Sequence, residues 1–191
     1  MKKLIFLLLP VLLFSCNSGP DVIDDLSGTS FQLLDQDSTA VTFPDDFEGE
    51  FIVMGFIYTN CPDICSLITQ NLVRIQKEMN YPDDVHFIAA TFDPERDTPS
   101  TLKKYGEAFG VDENFTFLTG DSTEVFALMD SARVRSQISM RDTTDDGREL
   151  YFINHSDKIM VLDKQSRIVF EYGGSQPMIP SLVKEDLNKI R

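Results

Sequence analysis

The chain is short of positive charge, of cysteine and of histidine. Its 191 residues carry 17 lysines and arginines against 31 aspartates and glutamates, a formal net charge of -14. Nucleic-acid binding needs a basic face to neutralise phosphates, and no basic cluster occurs, so nucleic acid is not expected as a partner. The acidity reads as a solubility feature, with attraction for cations, metal ions included, as the weaker alternative. The run Leu4 to Phe14 spans only about ten residues, too short for an ordinary membrane-spanning helix. No internal repeat and no long low-complexity tract appears. With 3 cysteines and 2 histidines, a metal site or a redox couple has few candidates. The 42% hydrophobic and 25% charged residues suit one soluble globular domain.

Lys2 and Lys3 ahead of the run ending in "LLFSC" form a charged segment followed by an apolar one. The stretch resembles a bacterial lipoprotein signal, in which Cys16 becomes the lipidated first residue; a plain secretory signal is the competing reading. Residues 1–15 are then the signal and 16–25 a polar tether. The domain occupies 26–191 and is lipid-anchored in the cell envelope, on a bacterial membrane facing the periplasm or exterior. The remaining two cysteines make an even set in an oxidising compartment.

Within the domain, "SFQLLDQDSTAVTF" (30–43) reads as a hairpin turning at Asp35 to Ser38. "FIVMGFIYT" (51–59) is a continuous apolar run, the mark of a strand covered on both faces. In "SLITQNLVRIQKEM" (66–79) Leu67, Ile68, Leu72, Ile75 and Met79 recur at helical spacing. "VHFIAATFD" (85–93) is a second buried strand. Thr98, Pro99 and Gly110 bracket a helix by their capping chemistry. Further on come a short strand (115–120), a helix (122–134), a polar acidic loop or long hairpin (139–150), a strand–turn–strand unit (158–174) and a closing helix (180–191). Strands alternating with helices predict an α/β fold, a central mixed sheet flanked by helices with an N-terminal β-hairpin. A central strand feeding a cysteine turn and then a helix is the arrangement of the thioredoxin superfamily.

That turn is "YTNCPDIC" (58–65). Pro62 suits a first helical position, and Asp63 suits the positive end of a helix. Cys61 and Cys65, four apart, would share one helix face. A helix N-terminus favours thiolate, which is both a nucleophile and a soft-metal ligand. The spacing alone does not choose between these chemistries. His86 lies within a strand and reads as a packed residue. In a thioredoxin-like fold, His155 in "FINHSDKIMVL" would reach the cysteine turn. Two thiolates and one imidazole point to copper, as Cu(I) or Cu(II). Zinc, with no fourth cysteine or histidine evident, is disfavoured but open to completion by water or Asp.

The domain resembles the Sco/SenC family of copper-binding, thioredoxin-like proteins. "YTNCPDIC" (58–65), "TFDPERDTP" (91–99) and "NHS" (154–156) carry the resemblance through their order and spacing. It implies copper held by Cys61, Cys65 and His155, the cysteine pair forming a disulfide when oxidised. It further implies a metallochaperone role in assembling the copper centre of cytochrome c oxidase, whose copper-binding subunit, or another copper or thiol client, is the partner. Asp93 corresponds to an acidic residue near the family's metal site and is expected to support a ligand or handle a proton; a turn residue before Pro94 is the competing reading. Ser66 and Asn154 stand where relatives more often carry Pro and Asp. Two other functions remain: a thiol–disulfide oxidoreductase acting on a partner through Cys61 and Cys65, and a thiol peroxidase or redox sensor.

Overall fold

A computed structural model describes residues 19–112, 114–145, 147 and 149–191. Cys16 and the signal lie outside the described residues. The elements run β1 (Asp24–Asp25), β2 (Phe31–Asp35), β3 (Ala40–Phe43), β4 (Phe51–Ile57), α1 (Cys65–Glu78), β5 (Val85–Thr91), α2 (Pro99–Phe109) and β6 (Phe115–Gly120), then α3 (Ser122–Ser131), β7 (Ser136–Thr143), β8 (Glu149–His155), β9 (Ile159–Leu162), β10 (Arg167–Tyr172) and α4 (Ile179–Ile190).

One mixed sheet has the order β1-β10-β9-β4-β5-β6-β2-β3. Its centre is parallel, β4 with β5 and β5 with β6, while β9 and β2 join it antiparallel. All residues of β4 are buried, which is why its sequence shows no polar alternation. Each large apolar side chain so covered contributes about 1.5–3 kcal/mol. The register pairs Phe51 with Val85 and Ile57 with Thr91, so β4 and β5 end level. Phe92 N–H then donates to Ile57 O at 2.7 Å, and the two chains leave the sheet side by side.

The expected N-terminal hairpin is β2–β3, its turn closed by Ser38 N–H on Asp35 O. α2 starts and stops as its sequence predicts: the Thr98 side chain accepts from Thr101 N–H, Pro99 follows, and Gly110 takes the left-handed conformation at φ 64°. α1 lies on β4 and against α4. At Gly55 the approach is so close that a Cβ would stand 2.9 Å from Ile68 Cγ2. Asn71 Nδ2 fastens α1 to the segment before α4, donating to Gly174 O (2.7 Å) and Gln176 O (2.9 Å). Lys184 Nζ reaches the Glu78 carbonyl at 2.6 Å.

Three segments need comment, and one expectation among them needs correction. Residues 24–25, assigned to the tether, form β1 on the edge of β10, with Ile23 N–H on Ile168 O. Edge pairing of this kind is made by backbone groups, which polar composition does not report. The long hairpin that was one of the two readings for residues 139–150 is present: β7 and β8 form a two-stranded antiparallel ribbon separate from the main sheet. Pro62 is not at a first helical position, since α1 starts at Cys65 with Ile64 as its N-terminal boundary.

Candidate metal and thiol site

β4 ends at Ile57, and Cys61 N–H turns back onto Tyr58 O at 3.2 Å. The cysteines do not meet as neighbours on a helix. Cys61 lies in the turn and Cys65 opens α1. Cys61 is half-buried, whereas Cys65 is 1% exposed. Both are free.

His155 ends β8 and comes to the pair from the other side. Its Nε2 is 3.3 Å from Cys65 Sγ and 3.9 Å from Cys61 Sγ. The three donor atoms all lie within 4.8 Å of one another. Nδ1 stands 2.9 Å from Ser156 O. A carbonyl can only accept, so Nδ1 carries the proton of the neutral ring and Nε2 turns its lone pair toward the sulfurs. The ring is held by Phe92 (centroids 4.4 Å) and by the edge of Tyr58 (5.7 Å). These donors and the lone-pair direction fit a soft ion, without any rearrangement of the imidazole. Tyr58, Cys61, Pro62, Ile64, Asn154 and His155 are among the residues that line an open hollow of about 360 Å³ above the pair.

The electrostatics depart from the expectation of a thiolate-favouring helix start. Burial pushes the Cys65 thiol well above its usual range, and the Tyr58 N–H on its sulfur (3.4 Å) only partly opposes this. Desolvation at 1% exposure outweighs the helix terminus. Burial likewise raises Tyr58, whose hydroxyl accepts from Ile153 N–H at 3.2 Å.

Asp63 is exposed and its carboxylate caps nothing, as α1 has no side-chain cap; its carbonyl accepts from Ser66 Oγ at 3.2 Å. Asp93 is buried, but its carboxylate engages Tyr151 Oη (2.7 Å) and Arg96 Nε and makes no hydrogen bond to the sulfurs or the imidazole. His86 stays apart as a packed strand residue, its Nε2 2.8 Å from Thr116 Oγ1.

Sequence reading passed over Asp97. It is fully buried, accepts from Thr59 N–H (3.1 Å) and Thr91 Oγ1 (2.6 Å), and burial raises its pKa. Tyr58, Phe92 and Tyr151 were equally unmarked. All four lie within or beside the quoted segments. For Tyr58 and Phe92 the available signal was an aromatic residue directly after a buried strand; Tyr151, inside β8, and Asp97, six residues beyond β5, gave no such signal.

Residues 23–189 match the SCO1/SenC family model. An SCO2-like protein of Rickettsia felis is 29% identical over 141 residues, 73% of this chain, and the chain spans 66% of that relative's length. The solved structure of Bradyrhizobium japonicum ScoI with copper bound is 32% identical, with 85% of this chain and 98% of that one covered at a TM-score of 0.66. A SCO1/SenC family lipoprotein from Bacillus anthracis is 25% identical, with 89% and 96% covered at 0.71.

Proposed function

The chain belongs to the SCO1/SenC family, and on that premise we propose that it is a copper metallochaperone, tethered to the cell envelope through lipid on Cys16. Cys61, Cys65 and His155 hold the ion. The observation that carries this reading is the convergence of two sulfurs and an imidazole lone pair within 4.8 Å. The copper-bound Bradyrhizobium relative supports the choice of metal, and the Bacillus lipoprotein supports the anchor. The copper-binding subunit of cytochrome c oxidase is the client, a reading that rests on the family resemblance. Release proceeds by ligand exchange, with a client thiolate displacing the half-exposed Cys61 before the buried Cys65. Oxidation of the pair to a disulfide removes both sulfur ligands, so thiol state governs loading.

The free pair, one thiol half-exposed and one buried, also suits a thiol–disulfide oxidoreductase in which Cys61 attacks and Cys65 resolves. His155→Ala separates the two. Titration of the reduced protein with Cu(I) against a chromophoric chelator should show one ion bound, and the variant should lose more than the roughly ten-fold that removal of a ligand's supporting partner costs. Dithiol reactivity should persist. Unchanged copper affinity in His155→Ala would overturn the ligand assignment and leave the oxidoreductase.

A further inference from the structure

The cysteine turn and the histidine are 94 residues apart at Cys61 and His155, and no sheet pairing joins them, since β8 pairs with β7 alone among the described residues. We propose that the hydrogen-bonded series Thr59–Asp97–Thr91–Asp93–Tyr151 positions the imidazole against the sulfurs, with Tyr151 as the positioning residue that acts on His155. The proposal rests on the metal-binding reading above.

The series is continuous. Thr59, two residues before Cys61, donates to Asp97 through N–H (3.1 Å) and Oγ1 (2.5 Å). Thr91 Oγ1 donates to Asp97 at 2.6 Å and accepts from Asp93 N–H at 2.8 Å. The Asp93 carboxylate then receives Tyr151 Oη at 2.7 Å. Arg96 braces this last link. It donates to Asp93 and, through Nη1, to Tyr151 O at 3.3 Å, and its guanidinium carbon sits 3.4 Å above the Tyr151 ring. Tyr151 and His155 are four apart on β8, so strand alternation puts both side chains on one face. Fixing the Tyr151 hydroxyl therefore fixes the height and rotation of the strand that presents the imidazole.

Apolar packing alone would not do this. Dispersion contacts tolerate sliding, whereas hydrogen bonds in a dry interior are short-ranged and costly to leave unmade. Asp97 shows the constraint most clearly. It is 0% exposed and no basic side chain among the described residues bonds it. Its satisfaction depends on Thr59 and Thr91 staying in place. Asp93 therefore influences the metal site through the protein, by way of Tyr151, and not by contact with a ligand.

Tyr151→Phe removes only the terminal hydroxyl. Tyr172→Phe is the control, because Tyr172 Oη makes the same kind of bond, to Asp186 Oδ2 at 2.8 Å, between β10 and α4. Tyr151→Phe is expected to lower Cu(I) affinity about ten-fold and to shift the thiolate-to-copper absorption of the Cu(II) form. Tyr172→Phe should change neither. In a His155→Ala background, Tyr151→Phe should cost nothing further, since the two act as one unit. A wild-type affinity and spectrum, an equal loss in the control, or an equal cost with and without His155 would each overturn the proposal. Should Tyr151→Phe fail to fold, Thr91→Val breaks the series internally and Thr91→Ser, which keeps the hydroxyl, should restore copper affinity; failure of that rescue counts against the series. Absence of copper binding in the wild type would instead sink the metal reading. The series is then tested in the metal-free protein, where Tyr151→Phe but not Tyr172→Phe should move the His155 imidazole resonances, and unmoved resonances would dismiss it.

Discussion

The Tyr58 hydroxyl accepts from the N–H of Ile153 at 3.2 Å and lies 3.5 Å from the same residue's carbonyl oxygen, to which it donates. The residue that leaves β4 thus grips the ribbon strand two positions before His155. Tyr58→Phe keeps the ring beside the imidazole but leaves buried backbone groups of Ile153 without their partner. A loss of about 1–2 kcal/mol in unfolding free energy is expected, read by urea denaturation. Unaltered stability would remove Tyr58 as an anchor of β8.

The two thiols should differ in reactivity. Cys61 opens onto the hollow, whereas Cys65 is covered and its thiol is pushed up by burial. Limiting iodoacetamide at about pH 8 should alkylate Cys61 first, with Cys65 slower by at least about ten-fold, as read by peptide mass spectrometry. Faster labelling of Cys65 would contradict the assignment of Cys61 as the attacking or first-displaced sulfur.

His86 gives the domain a pH dependence unrelated to the thiols. It packs on Phe47 with ring centroids 4.7 Å apart, and burial holds its pKa down at about 4 against an ordinary 6.5. Glu50, 3.6 Å from Nδ1 but exposed, and Asp112, which pulls upward, do not offset this. Below about pH 6.5 the unfolded chain binds a proton that the native ring refuses until about pH 4. The contribution is therefore present above that window and is lost as pH falls through it, on the order of 3 kcal/mol. His86→Gln should flatten the slope of unfolding free energy against pH across the window. An identical slope in the variant would place the dependence on other groups.

Much of the architecture was legible because apolar residues carry their own periodicity. The unbroken run of β4, the helical spacing in α1 and the capping residues of α2 lie within two residues of their expected places. The ribbon strand β7 was less legible for a related reason. Its residues are almost all exposed, so no buried face imposes alternation on its sequence. Cys61, Cys65 and His155 were singled out by residue type and segment order. Of the supporting groups only Asp93 was marked, through the family resemblance and with a turn residue as its competing reading; Asp97 was not, because it sits in the same segment "TFDPERDTP", where an aspartate close to proline looks like turn chemistry. What distinguishes them is a donor supplied from another element, Thr59 for one and Tyr151 for the other. The helix start at Cys65, three residues beyond Pro62, was hidden for the same reason: a proline compatible with a first turn does not require one there.

The attachment of α1 to the end of the chain affects how the protein is made. Asn71 waits for the carbonyls of residues 174 and 176, and the last turn of α1 waits for Lys184. During translation the helix that opens with Cys65 thus lacks these partners until the segment from Gly174 through α4 has been made. A stop codon placed after β10 would therefore strip α1 of these partners while leaving all three ligands in the sequence.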